Sequence, residues 1–442
     1  MGRGTKLEPV LSPSRLGAGE AAGNRAYLSG TTVPVTTRDG CYGADWGPGG
    51  WKLGGFELVR ARVPLKAPWV SGAGAFSDRD TFLVRAVLRK RGQAGGWEEV
   101  EGWGECPALP APTYSSEYTS AAIDVSVRHL APLLLGAGVS SAGAVGPALA
   151  QCKGHRMAKT AFEAAVLDAE LRASGGSMAD FFCRLSETRV PARTSVLGGV
   201  AVGLARSRQA LLDEVERFVA EGYRRVKLKI TAGGGLRPER VVAAVRDRWP
   251  DLVLFVDANG SYEGLGPQEA AAQLSVLDRY GLACIEQPLG EDDLAGHARL
   301  AKALQTPICL DEALTSYGAV VTALEMGACS VVNVKAGRFG GYLEAVRVHD
   351  LCARRGVPVW CGGMVETGIA RAANVALAGL VNFSLPGDLS ASGRFFETDL
   401  TSALTLRTDG TIAVPSGPGS GVTVDQGAID HFAIWRRWYP AS

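Results

Sequence analysis

The chain lacks most of the features that assign a class quickly. Its 46 Lys and Arg balance 45 Asp and Glu, a formal charge of +1, so neither nucleic acid nor an anionic membrane is expected as a partner. No apolar stretch approaches ~18 residues, which argues against a transmembrane helix. The N-terminus has no apolar core of the secretory-signal kind. The nine cysteines are odd in number and include no CxxC pair. That favours reduced thiols in a cytoplasmic protein over a disulfide framework. No GxGxxG follows the first strand of the α/β region, which weakens a dinucleotide-binding reading. What remains is ordinary: 442 residues, 46% hydrophobic and 21% charged, enough for two domains with a sizeable core.

Residues 1–52 are rich in Gly, Ser and Thr without sustained periodicity and read as a disordered extension; nothing assigns a role to Cys41, Tyr42 or Trp46. From Phe56 the runs FELVRARVPL and TFLVRAVLRK alternate as half-buried strands, with Ala67 to Asp80 read as a loop between them. WEEVEGWGECPA reads as a third strand. Two helical patterns follow, YSSEYTSAAIDVSVRHLAPLLL and MAKTAFEAAVLDAELRASG, the second stopping at Gly175 and Gly176. Residues 53–188 therefore form an α+β unit. From about Val190 the rhythm becomes strict β/α alternation, with strands expected at 194–199, 224–230, 252–257, 283–286, 307–310, 331–335 and 357–361. A short eighth strand is expected near Asn382 to Leu385. Residues 387–442, with β-like ALTLRTDG and TIAVPS, are expected to return to the first domain.

Five charged residues punctuate this alternation: Lys229, Asp257, Glu286, Asp311 and Lys335, in the runs VKLKI, LVLFVDAN, LACIEQP, ICLDE and VVNVKAG. Their spacings, 28, 29, 25 and 24 residues, are those of one strand plus one crossover helix. Each strand thus ends in an ionisable group, and in a barrel all such ends converge on one mouth. Asp257, Glu286 and Asp311 offer three oxygen ligands and no His, which suits Mg²⁺ or Mn²⁺. One such acid commonly just caps the next helix. Three in consecutive units argue for a cation, because clustered carboxylates are costly without one.

Lys227 and Lys229 are two apart on a strand and face the same side, toward the barrel interior. A lysine acting as a base must be neutral near pH 7, so its pKa of about 10.4 must fall by roughly 3, or about 4 kcal/mol. A cation, a second lysine and partial burial push that way, and Arg338 adds to it if it points inward. The chemistry implied is proton abstraction α to a carboxylate. Lysines on opposite barrel walls can reach both faces of the α-carbon, so one-base elimination and two-base racemisation both stay open.

This arrangement resembles the enolase superfamily, in particular its muconate-lactonising subgroup: a KxK lysine, then Asp, Glu and Asp, then a lysine, on successive strands. Finer motifs are similar to the o-succinylbenzoate synthase / N-acylamino acid racemase family: GWGEC (102–106), PTYSSEY (112–118), the stretch from His155 to Lys159, GGMVETGIARAAN (362–374) and GDLSAS (387–392). The resemblance runs from about residue 53 to the C-terminus. It implies a (β/α)7β TIM-like barrel over 189–386, with an α+β capping domain built from N-terminal and C-terminal segments. It makes Lys229 and Lys335 the acid/base pair, Asp257, Glu286 and Asp311 the Mg²⁺ ligands, and Lys227, Asn259, Arg338, Gly362, Gly363 and Met364 supporting or pocket residues. A small-molecule carboxylate substrate and a homo-oligomer are further implications. KAGRFGG departs from the family, which more often has proline after the lysine, and so does the 67–80 segment, expected to be a lid. None of the five histidines lies where the subgroup with a His-Asp pair needs one.

Two activities follow from the resemblance. The first is dehydration of 2-succinyl-6-hydroxy-2,4-cyclohexadiene-1-carboxylate to o-succinylbenzoate, a step of menaquinone synthesis; the alternative is racemisation of N-acylamino acids. Dipeptide epimerisation is disfavoured, because Asp388-Leu389-Ser390 is not a DxD. A non-catalytic binding protein on the same scaffold would have lost a ligand or a lysine, and none is missing.

Overall fold

Two long strands, β1 (Lys52–Ser71) and β2 (Gly74–Arg91), pair as an antiparallel ribbon, and β3 (Trp97–Cys106) adds to β2. The structure is a computed structural model that describes residues 49–71, 74–92 and 95–441; the extension before residue 49, with Cys41, Tyr42 and Trp46, lies outside the described residues. The described residues belong to one unit, residues 44–442.

Ala67 to Asp80 is not a loop. The ribbon runs on through this segment, with Trp69 opposite Phe76. Its far end is anchored: the Lys66 N–H donates to the Phe395 carbonyl at 2.8 Å, and the Trp69 ring meets Phe395 edge-on at 5.6 Å. The first predicted helix begins only at Thr119 and contains a wider π turn at Ser126–Leu130. The helix Arg156–Ser174 lies across the sheet, ended by Gly175 in the left-handed conformation (φ 75°). It approaches so closely that a Cβ on Gly102 or Gly104 would fall 2.1 Å from the Ala169 nitrogen or 2.0 Å from the Ala161 oxygen. The GWG of the third strand is therefore a packing requirement.

The barrel sheet is parallel and seven-stranded: β5 (Gly199–Val202), β6 (Arg225–Lys229), β7 (Val253–Asp257), β8 (Ile285–Glu286), β9 (Ile308–Leu310), β10 (Val331–Val334) and β11 (Val359–Cys361), in spatial order. Side chains alternate as the period of two requires. Val226, Leu228, Leu254 and Val256 pack outward under the helices, while Phe255, Cys284, Cys309, Val331 and Trp360 make an apolar cluster of their own inside the barrel.

The strand expected at 194–199 is split. β4 (Ser195–Leu197) pairs antiparallel with β12 (Thr411–Ala413), and the barrel strand starts at Gly199. The chain changes partners at two glycines, where a Cβ on Gly198 would meet Leu406 at 2.7 Å and one on Gly199 the Gly387 oxygen at 2.3 Å. No strand forms at Asn382 to Leu385. That segment instead bridges the two sheet edges by single hydrogen bonds: Val359 N–H to Asn382, Leu385 N–H to Val359, Asp388 N–H to Cys361 and Gly199 N–H to Leu389. The ring is thus closed by irregular chain, in the position of an eighth stave. ALTLRTDG likewise contains only an isolated bridge, Leu406 to Ile412. Near the C-terminus β13 (Ala433–Pro440) pairs with β1, so segments from either side of the barrel in sequence build the capping sheet β13-β1-β2-β3. Among the described residues no helix is long and apolar enough to cross a membrane.

Candidate active site

At the C-terminal ends of the barrel strands the register aligns Lys229, Asp257 and Glu286 in one row across β6, β7 and β8. Asp311 and Lys335 follow directly after β9 and β10. Lys227 rises from below this row and is 3% exposed. Its ammonium lies 3.1 Å from Asp257, 2.8 Å from Glu286 and 2.6 Å from Asp388, over the face of Trp360. Lys229 Nζ is 2.7 Å from Asp257 Oδ2 and also donates to the Asn259 side chain. Asn259 adopts a left-handed backbone (φ 41°), and its amide donates to Glu312 at 2.7 Å. Glu286 also accepts from Asn333 at 2.8 Å.

On the far side Lys335 Nζ donates to Asp311 at 2.7 Å and reaches the Tyr114 hydroxyl at 2.8 Å, while that hydroxyl donates to Asp311 at 2.9 Å. Tyr114 comes from the capping domain, within PTYSSEY. Glu117 of the same motif accepts from the N–H groups of Arg156 and Met157 at 2.7 and 2.9 Å, capping the long helix. The motif thus ties cap, helix and barrel together. Glu105, the acid of GWGEC, is buried and accepts from the Thr367 hydroxyl at 2.7 Å, a second tie between cap and barrel.

Arg338 points inward. Its guanidinium stacks over Tyr114 at 5.2 Å and donates to the carbonyls of Glu312 and Leu314. Gly362 is required by Lys335, since a Cβ there would fall 2.4 Å from Lys335 Cε and 2.3 Å from Asn333 Oδ1. Gly363 and Met364 line the cavity together with Lys227, Lys229, Asp257, Asn259, Asp311 and Lys335. Sequence reasoning missed Tyr114, Asp388, Arg371 and Arg394 as lining residues of the same cavity. All but Arg394 sit inside motifs already noted.

For Lys335 and Lys227 the electrostatics differ from the expectation of near-neutral lysines. Burial disfavours the charge on Lys335, but Asp311 and Tyr114 outweigh it and hold the pKa above the ordinary lysine range. Lys227 is raised in the same way, burial being outweighed by Asp388, Glu286 and Asp257. Asp257 is buried, yet Lys229 and Lys227 hold it well below the usual carboxylate range. Glu286 is pushed well up, by burial first and then by repulsion from Asp257, Asp311 and Asp388 against the pull of Lys227.

Among the described residues no three of His, Cys, Asp and Glu stand close enough to form a ready metal cage. Lysine ammonium groups stand between the carboxylates. The donor set nonetheless fits a hard cation: three carboxylates on adjacent strand ends, with the thiols of Cys284 and Cys309 turned into the apolar cluster. The repulsion that raises Glu286 is the charge imbalance a cation relieves.

Comparison with known proteins gives the same direction. A family model described as enolase C-terminal domain-like matches residues 210–428. The N-succinylamino acid racemase of Amycolatopsis sp is 50% identical over 388 residues, covering 88% of this chain and 99% of the relative. The o-succinylbenzoate synthase of Geobacillus stearothermophilus is 39% identical over 375 residues, 85% of this chain and 94% of the relative. A solved enolase-superfamily structure from Listeria innocua superposes with a TM-score of 0.80 at 34% identity, covering 89% of this chain and all of that one. Enzymes of this superfamily use a divalent metal ion. The strand-end constellation and these similarities lead to one assignment: the chain belongs to the enolase superfamily, in the group whose curated members are o-succinylbenzoate synthases and N-succinylamino acid racemases.

Proposed function

We propose that this chain is a metal-dependent o-succinylbenzoate synthase that removes the proton α to a substrate carboxylate and expels the neighbouring hydroxyl as water. The observation that carries the proton abstraction is that Lys229 and Lys335 line one cavity from strands four places apart in an eight-stave ring, hence from opposite walls; the similarity to o-succinylbenzoate synthases supports dehydration as its outcome. Asp257, Glu286 and Asp311 would hold Mg²⁺, with Mn²⁺ as a substitute. When bound, such a cation supplies Lewis-acid stabilisation of the negative charge that develops on the substrate carboxylate.

Lys229, less enclosed than Lys227 and held by Asp257 and the Asn259 side-chain amide oxygen, takes the α-proton on its Nζ and returns it to the departing hydroxyl. Lys335, kept protonated by Asp311, faces the substrate as a cation and stabilises developing negative charge. Tyr114 closes the cavity beside it and orients its ammonium.

A second reading, racemisation of N-succinylamino acids, is favoured by the 50% identity to the Amycolatopsis racemase. There Lys229 would take the proton from one face and the Lys335 ammonium would deliver one to the other. Both reactions begin with the same proton transfer, so one site supports both. The eight cysteines among the described residues are all free, which supports a reducing cytoplasmic location.

The test uses purified protein with Mg²⁺, following o-succinylbenzoate formation by ultraviolet absorbance beside an N-succinylamino acid racemisation assay, each with an EDTA control. Metal-dependent dehydration is expected. Racemisation alone would transfer the protein to the second reading, and turnover unaffected by EDTA would refute the metal-dependent mechanism.

A further inference from the structure

Five cationic side chains line the cavity: Lys227, Lys229, Lys335, Arg371 and Arg394. Four of them have a carboxylate at ion-pair distance. Lys227 has three, Lys229 has Asp257, Lys335 has Asp311, and Arg371 has Glu366 at 3.6 Å. Arg394 has none among the described residues. It ends the 3₁₀ turn Ser392–Arg394, and its side chain donates one hydrogen bond among the described residues, from Nη2 to the Ala201 carbonyl of β5 at 2.5 Å. Otherwise its guanidinium is surrounded by aromatic faces: Phe395 at 4.8 Å, Phe218 at 4.9 Å and Trp69 at 5.6 Å.

Trp69 stands on the end of the β1–β2 ribbon and Phe395 on the segment that anchors it, so cap and barrel frame this arginine together. Both rings and the arginine line the same cavity as Lys229 and Lys335. The surroundings disfavour an uncompensated charge: burial, with a smaller contribution from Arg371, pulls the pKa of Arg394 down to about 10 against Tyr223, Asp388 and Glu214. A guanidinium presents five donors in a planar fork that matches a carboxylate. Most of that fork has no partner among the described residues.

We propose that Arg394, framed by Trp69 and Phe395, binds the second carboxylate of the substrate, the terminal carboxylate of a succinyl arm, while the reacting carboxylate lies among Lys229, Asp257, Asp311 and Lys335. The inference rests on the functional reading above and sharpens it. Both candidate substrates carry a succinyl group with a free terminus, so a single arginine would select both. It is a specificity residue: it holds the arm and takes no part in proton transfer.

The test compares an N-succinylamino acid with the N-acetyl derivative of the same amino acid, which lacks the terminal carboxylate, on the Mg²⁺-loaded full chain. Arg394→Gln is expected to raise KM for the N-succinyl substrate about 10- to 100-fold, the worth of a hydrogen bond to a charged group. It is expected to leave kcat within about threefold and the N-acetyl reaction within about twofold, and Arg394→Lys is expected to recover part of the loss. Equal losses on both substrates, or an unchanged KM, would overturn the proposal.

Calorimetry with o-succinylbenzoate and 2-butanoylbenzoate, which differ in the terminal carboxylate, separates this inference from the functional reading. If the wild-type chain turns over no substrate, the functional reading fails. The inference then stands if wild type prefers o-succinylbenzoate and Arg394→Gln abolishes that preference, and falls if the preference is absent or survives the substitution.

Discussion

Replacing Lys227 by methionine removes the ammonium that sits among Asp257, Glu286 and Asp388 while keeping a side chain of similar length against Trp360. All three carboxylates are buried or nearly so, and none can turn to water. Breaking a buried ion pair by deleting one partner costs about 3–5 kcal/mol, since the other charge stays desolvated. Lys227 has three such partners, but Arg225 still pairs with Asp388 and Lys229 with Asp257. The proton affinity of Glu286 is already high, so it can shed its charge by taking up a proton. We therefore expect about 3–5 kcal/mol in the metal-free protein, a fall in Tm of roughly 5–15 °C. If these carboxylates hold the cation as proposed, added Mg²⁺ would restore positive charge among them, so it should stabilise Lys227→Met more than wild type and shrink the gap by at least half. The assay is thermal unfolding by circular dichroism, in EDTA and in saturating Mg²⁺. A variant as stable as wild type in EDTA would refute the electrostatic account of Lys227. A gap that Mg²⁺ leaves unchanged would refute the assignment of these carboxylates to a cation.

Two further outcomes follow from the same geometry. Lys229→Ala should reduce kcat at least 10²- to 10⁴-fold, the usual contribution of a positioned base, with Mg²⁺ affinity by calorimetry largely kept; appreciable residual turnover would remove Lys229 from its role. Glu163 is buried under the helix Tyr342–Arg354, and burial raises its pKa from 4.5 to about 8 despite the Leu343 and Tyr342 N–H groups it accepts from. Its folded pKa lies above the unfolded one, so its contribution is complete below about pH 4.5 and is lost as pH rises through 8. Glu163→Gln, neutral throughout, should gain about 3–4 kcal/mol relative to wild type between pH 5 and pH 8 in denaturant titrations. Parallel pH profiles would show that the buried acid is not the cause.

Much of the site is legible along the chain because a strand alternates faces with a period of two. Lys227, Lys229, Phe255 and Asp257 point into the barrel, and Val226, Leu228, Leu254 and Val256 point out, from local pattern alone. The near-constant spacing of the charged strand ends brings them to one mouth once the barrel is accepted. Other features depend on contacts that no local pattern encodes. Tyr114 meets Asp311 across 197 positions and Lys335 across 221, because the capping helix and PTYSSEY are docked on the barrel as a body. Asp388 reaches the mouth from the irregular chain that closes the ring, where its N–H donates to the Cys361 carbonyl. Ser195–Leu197 reads as barrel strand by propensity, yet it pairs with Thr411–Ala413, since the glycine pair that follows lets the chain change sheets. The ribbon through Trp69 looks like a loop until Phe395 gives it something to pack on.

The sequence by itself determined the β/α order, the inward and outward faces, and the five charged strand ends. Tertiary structure alone decided how those charges pair, which cap residues reach them, and that Arg394 has no carboxylate at ion-pair distance among the described residues. The reason is physical: periodicity states which way a side chain faces, whereas its partner is chosen by closure of the whole chain.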